Sequence, residues 1–255
     1  MPCVGVAKEK YRMDWVYLSP HLDDAALSLG GLIWEQVQAG QQVSIWTICA
    51  GDPPPGDLSP FAESLHTRWK VGREAIQIRR AEDVESCKRL GADYCHFDIP
   101  DCIYRRSPKT GKHLYDSEEA LWIPVHPEEN ILIETIKKNI RSTLPKEARL
   151  VCPLTIGDHI DHRLTRAAAE GLGIPLVYYA EYPYICDEDQ SVLPENLQST
   201  VSFVSPAGLR AWQDAVEAHG SQISTFWTNL EDMRLGIQEY YQKMGGIHLW
   251  SKNRT

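Results

Sequence analysis

Trp15-Val16-Tyr17-Leu18-Ser19-Pro20-His21-Leu22-Asp23-Asp24 runs from an apolar strand into an imidazole and two carboxylates. A helical pattern follows from about Ala25 to Ala39, with Leu27, Ile33, Trp34 and Val37 near one face and Gly40 as its stop. Strand, polar loop and helix make the opening of a βαβ unit, in which ligands gather at the carboxyl ends of strands. The arrangement recurs. Leu150-Val151-Cys152-Pro153-Leu154 leads into Gly157-Asp158-His159-Ile160-Asp161-His162, and another helix begins near Asp161. One such loop would serve equally as a helix cap, because an Asp ahead of a helix satisfies its free N–H groups and dipole. Two loops in matched settings, each offering histidine and carboxylate, point to one shared site.

Outward from these loops the alternation continues. Val43 to Cys49 reads as a strand, and a Pro/Gly-rich loop follows at 51 to 60. A charged amphipathic helix is expected from about Trp69 to Leu90, stopped by Gly91 before a short strand at Tyr94 to Asp98. Pro127 to Leu144 reads as a helix, Arg149 to Leu154 and Ile174 to Tyr179 as strands, and Leu209 to His219 and Ile223 to Met244 as helices. The pattern predicts an α/β fold: a mostly parallel sheet in a three-layer arrangement, with helices on both faces. No linker, repeat or low-complexity tract divides it, so a single domain over 1–255 is expected. The loops at 51–67 and 103–127 exceed the roughly 12–15 residues usual for structureless connections and are expected to wall a substrate site.

Composition narrows the partners. The formal charge of −9 opposes non-specific attraction to phosphate backbones or anionic membranes, which argues against nucleic acid and membrane as partners. Met1 to Trp15 lacks the apolar centre of a signal peptide, and no apolar run approaches the length of a membrane span, so a cytoplasmic location is expected. The seven cysteines are odd in number and never spaced as CxxC, which fits neither a disulfide framework nor a cysteine zinc site. Most are expected to be reduced packing residues. Gly30-Gly31 lies too far after Leu18 and lacks GxGxxG spacing, which makes a nicotinamide dehydrogenase improbable. Nothing in the sequence excludes a homo-oligomer.

A catalytic zinc site takes three protein ligands of the His nitrogen and carboxylate type and leaves a position open. His21, Asp24 and His162 satisfy that count as metal ligands, with Zn2+ favoured over another divalent ion. Asp23, adjacent to Asp24, is then available as general base. His159, three residues before His162, is expected to act as an imidazolium, with Asp161 orienting it and favouring its charged form.

The segment SPHLDDAALSLGG resembles the PHPDDE-type motif of the PIG-L/LmbE-like family of zinc-dependent N-deacetylases, and GDHIDHRLTRAA resembles that family's HxDH motif. Arg79-Arg80-Ala81-Glu82 followed by Leu90-Gly91 is similar to its RxxE helix ending in LG, and Tyr182-Pro183-Tyr184 to a feature of some members. The ordered matches cover about residues 16 to 170. The resemblance implies a Rossmann-like fold, the metal and catalytic assignments above, and Arg79 and Asp101 as substrate-binding residues. It implies an N-acetylated small-molecule substrate, an N-acetylglucosamine unit or a relative of one. From spacing alone, Arg79 would read as a surface charge paired with Glu82.

Leu22 and Ala25 stand where the family's first motif has Pro and Glu, so a carboxylate supporting the metal ligands is expected to be missing. Gly157 stands where some members have a tyrosine. Trp69, Tyr104, Tyr115 and Trp122 are aromatics that could stack on a sugar or anchor the long loops. The basic stretch from Tyr104-Arg105-Arg106 to Lys109, Lys112 and His113 reads as a solvated surface or a contact for an anionic substituent. The alternatives are a metal-dependent hydrolase of another bond, such as a phosphoester, and a non-catalytic Rossmann-like binding protein that keeps its metal.

Overall fold

The computed structural model describes residues 14–252 except 73, 187–192 and 194–195. The segment read above for a signal peptide therefore lies almost wholly outside the described residues. β1 (Trp15–Ser19), β2 (Val43–Thr47), β3 (Asp93–His96), β4 (Arg149–Pro153) and β5 (Leu176–Tyr179) are parallel, and two further strands complete a sheet of order β3-β2-β1-β4-β5-β7-β6. β6 (Gln198–Ser202) and β7 (Ile247–Ser251) are antiparallel and were not foreseen. β6 is mostly exposed and polar, so no run of apolar residues announces it.

From β1 the chain steps to β2 on one side, whereas β4 leads to β5 on the other. The strand order thus reverses between β1 and β4, which pair with Trp15 opposite Arg149 and Tyr17 opposite Val151. Right-handed crossovers put the helices of the two halves on opposite faces. Accordingly α1 (Asp24–Gln38) packs with α3 (Ala75–Leu90) and α6 (Pro206–Glu217), and α4 (Asn130–Thr143) packs with α5 (Ile160–Glu170). Such a reversal leaves a crevice at the strand ends. Both histidine loops open into it.

The expected helix from Trp69 to Leu90 begins only at Ala75, as α3, and a separate helix that was not expected precedes it in the Pro/Gly-rich segment. α2 (Pro60–Arg68) starts on Ser59, whose Oγ accepts the Ala62 N–H, with Pro60 in the first turn. Lys70, at φ 56°, turns the chain before α3 begins. The tail likewise holds three helices: α6, α7 (Gly220–Phe226) and α8 (Leu230–Met244). The long loops are not loose. Leu65, Trp69, Ile103, Tyr104, Tyr115 and Leu121 form a second apolar cluster over the strand ends. Cys49, Cys87, Cys102 and Cys152 are free and buried, as expected of packing residues.

Gly30 and Gly31 have a packing reason. The fully buried Trp212 of α6 lies against them, and a Cβ on Gly30 would sit 2.5 Å from its Cδ1. Gly30→Ala should therefore destabilise the protein by about 1–3 kcal/mol through overpacking, despite alanine's better helix propensity. A denaturation midpoint at or above that of the unaltered protein would contradict this packing account.

Candidate active site

Pro20 to Asp23 link β1 to α1, and the carboxylate of Asp23 makes no capping bond to the helix. Ser19 Oγ accepts the Ala25 N–H instead, and Asp24 Oδ2 accepts the His21 N–H at 2.8 Å. Helix capping therefore does not explain Asp23. It is buried, with Arg79 Nη2 3.7 Å away. Burial, opposed by Arg79 and reinforced by Asp24, raises its pKa to about 6.

His21 and His162 converge on Asp24. Oδ2 of Asp24 is 3.1 Å from His21 Nδ1 and 3.3 Å from His162 Nε2. Four-coordinate zinc with arms of about 2.0–2.2 Å keeps its donors roughly 3.3–3.6 Å apart, close to these spacings. His162 Nε2 is buried and has no hydrogen-bond partner. The remote nitrogens are engaged by carboxylates: His21 Nε2 lies 3.1 Å from Asp161 Oδ2, and His162 Nδ1 lies 2.9 Å from Glu181 Oε1. A ligating histidine characteristically gives its other N–H to a carboxylate in this way. Burial lowers the pKa of both imidazoles, but the surrounding acids outweigh it, led by Asp101 for His21 and by Asp24 for His162, which is raised to about 9. The donor set thus calls for positive charge, and these residues fit a divalent ion.

Donor atoms of His21, His159 and His162 also lie within 4.8 Å of one another, as do those of His21, Asp101 and Asp161 and those of Cys102, His159 and Asp161. One oxygen of Asp24 lies within 3.3 Å of a nitrogen of each of His21 and His162, whereas His159 Nδ1 accepts the Asp161 N–H at 3.2 Å as a helix cap.

That cap corrects one expectation. The Asp161 carboxylate does not hold His159 as a cation. It accepts from Arg105 Nη1 at 2.5 Å and from the Cys102 N–H at 2.9 Å, besides its contact with His21. Burial and the neighbouring His21 and His162 keep the pKa of His159 well below its ordinary value. A neutral ring accepting at Nδ1 carries its proton on Nε2. Arg105, read as part of a basic loop, is buried and also pairs with Glu129, which accepts from Tyr115 Oη. Glu181, Arg105 and Glu129 were not placed at the site because no motif marks them: Arg105 sits beside Arg106 and Glu129 beside Glu128 in what read as solvated charge, and Glu181 stands among aromatics.

The crevice is a cavity of about 290 Å³. Its floor carries His21, Asp23, Asp24, Asp101 and His159. Arg79 reaches it from α3, buried, with its guanidinium 4.8 Å above the Trp69 ring and Nη1 3.8 Å from Asp101. Its Nε has no partner. Arg79 is therefore not paired with Glu82, which instead accepts the Ser221 N–H and Oγ–H at 2.8 and 2.6 Å and ties down α7. Gln222, Thr225 and Phe226 of α7 line the cavity. Of the four candidate stacking aromatics, Trp69 and Trp122 line it, while Tyr104 and Tyr115 are buried in the second apolar cluster. Trp122 meets His159 and Tyr184 edge-on, at 5.2 and 5.9 Å. The Tyr184 ring fills the space beside Gly157, where a Cβ would come within 3.0 Å of it.

The family profile described as GlcNAc-PI de-N-acetylase (PIG-L) matches residues 16–172. The 2'-N-acetylparomamine deacetylase of Niallia circulans is 30% identical over 192 residues, which is 67% of this chain and 67% of that protein. The enzyme of the same name from Streptomyces fradiae is 27% identical over 194 residues, 73% of this chain and 63% of that one. A zinc-inhibited form of teicoplanin deacetylase superposes with a TM-score of 0.81 at 28% identity, covering 95% of this chain and 99% of the other.

Proposed function

The chain belongs to the GlcNAc-PI de-N-acetylase (PIG-L) family, and from that premise we propose that it is a zinc-dependent hydrolase removing acetyl from an N-acetylglucosamine-type or related small molecule. The observation that carries this reading is the meeting of His21 Nδ1 and His162 Nε2 on one oxygen of Asp24, with the uncapped Asp23 beside it. Deacetylase relatives that include a teicoplanin enzyme and two 2'-N-acetylparomamine enzymes support amide hydrolysis on a sugar-bearing substrate.

His21, Asp24 and His162 would hold the zinc ion, which when bound would supply Lewis acidity to an amide carbonyl and lower the pKa of water toward neutrality. Asp23 takes the proton of the attacking water and passes it to the departing amine. His159 donates Nε2–H to the carbonyl oxygen as negative charge develops there. Asp161 acts through its neighbours, holding His21 and the Arg105 guanidinium. Arg79, with an unpartnered Nε, and Asp101 grip ring hydroxyls. The cavity is at the small end of the range for ligand pockets, about 300–1,000 Å³, which suits one sugar ring with the remainder of the substrate outside.

Incubation of the zinc-loaded protein with N-acetyl sugars, their glycosides and phosphomonoesters tests the bond that is cleaved. The expected products are acetate and a free amine; phosphate release without them would favour the phosphoester reading. Because Glu82 positions α7 as a cavity wall, Glu82→Ala should raise KM several-fold and leave kcat and zinc content close to their original values. A fall in kcat at unchanged KM would remove that role for Glu82.

A further inference from the structure

We propose that Glu181 is a positioning residue serving two parts of the site at once: it fixes the metal-facing nitrogen of His162 and pins the turn that delivers His159. It thereby supplies from β5 the supporting carboxylate that Ala25 does not. This inference rests on the metal reading of His21, Asp24 and His162.

Glu181 lies two residues beyond β5 and is fully buried. A buried carboxylate is costly unless its oxygens are satisfied. Those of Glu181 take three N–H groups: His162 Nδ1 at 2.9 Å and the Thr155 N–H at 2.8 Å on Oε1, and the Ile156 N–H at 3.2 Å on Oε2. The first contact decides which nitrogen of His162 is free. With the proton on Nδ1 facing Glu181, the lone pair of Nε2 faces Asp24, where that nitrogen is buried and otherwise unpartnered.

The other two contacts act on a backbone that needs them. Thr155, Gly157 and Asp158 have φ of 65°, 77° and 62°. For Thr155, a β-branched residue, the left-handed region is disfavoured, whereas aspartate adopts it more readily. The Asp158 N–H closes the turn on the Thr155 carbonyl, and His159 follows at once as the cap of α5. One side chain therefore links the position of a ligand to that of an oxyanion donor. Glutamine has the same shape but places an NH2 where one carboxylate oxygen accepts, so it opposes a donor with a donor.

Zinc affinity, measured by competition with a chromophoric chelator, tests the assignment in the original protein, Glu181→Gln, Glu181→Asp and the double variant Thr155→Gly/Glu181→Gln. The Gln variant should bind zinc about 10–100-fold more weakly, the range for losing a partner of a ligating histidine. Asp keeps the charge and should recover part of the loss. Thr155→Gly removes the requirement to hold a strained threonine, so a purely structural role predicts that the double variant regains full affinity. The proposal predicts that its deficit persists. Unchanged zinc affinity in folded Glu181→Gln, or full recovery in the double variant, would overturn it. Failure of the original protein to deacetylate any N-acetyl sugar would instead overturn the N-deacetylase reading and leave the zinc titrations readable.

Discussion

Asp23→Asn should keep its fold and its zinc and lose turnover by about 10²-fold or more, the contribution expected of a positioned general base. The side chain is not spent on capping α1, and its nearest cation, Arg79, stands 3.7 Å away, too far for a hydrogen bond. An amide has the same shape but cannot take a proton from water. The pH profile should carry the same information. Asp23 must be ionised, and burial raises its pKa to about 6, so the rate should rise with pH through an acidic limb. The charge of a bound divalent ion favours the carboxylate and moves that limb below 6. Near-native turnover in zinc-loaded Asp23→Asn would remove the residue from the mechanism.

His159→Ala should lower turnover by roughly 10²–10³-fold while zinc stays bound, the scale seen when one oxyanion donor is removed. The ring is held neutral by burial and by His21 and His162, and its Nδ1 is committed to the Asp161 N–H. Its catalytic form therefore persists as pH rises, and no alkaline loss of rate should belong to it. Had Asp161 held it as an imidazolium, deprotonation would shut the reaction down and Asp161→Asn would shift that limb to lower pH. A pH–rate series separates the two. An alkaline limb that moves in Asp161→Asn would restore the cation; wild-type turnover in His159→Ala would remove the donor role altogether.

The parallel core of the fold was legible because β1, β2 and β4 are short apolar runs followed by polar loops and helices, and their pairing needs only the right-handed rule. β6 and β7 were not: Gln198, Ser199, Thr200 and Val201 of β6 are all exposed, so the strand shows no buried alternate face, and it is held by pairing with β7. α2 hid inside a segment rich in Pro and Gly, although Ser59-Pro60 is a legible helix start. At the site, the convergence of His21, Asp24 and His162 followed from two loops at neighbouring strand ends. The partners of those residues did not follow. Asp161 was assigned to His159 by closeness in sequence, whereas α5 turns its carboxylate toward Arg105 and His21, both distant in the chain. The carboxylate beside His162 Nδ1 is that of Glu181, which comes from another strand end. Periodicity and local spacing say nothing about such contacts between distant segments.

Amide hydrolysis should depend on an ion held by His21, Asp24 and His162. Zinc content and acetate release should be measured together on chelator-stripped protein, on the same protein after addition of zinc, and on His21→Ala and His162→Ala. About one ion per chain is expected, with activity that disappears on stripping and returns on reconstitution, and with both folded variants taking up little zinc and releasing no acetate. Full turnover by the stripped protein, or undiminished zinc in both folded variants, would contradict it.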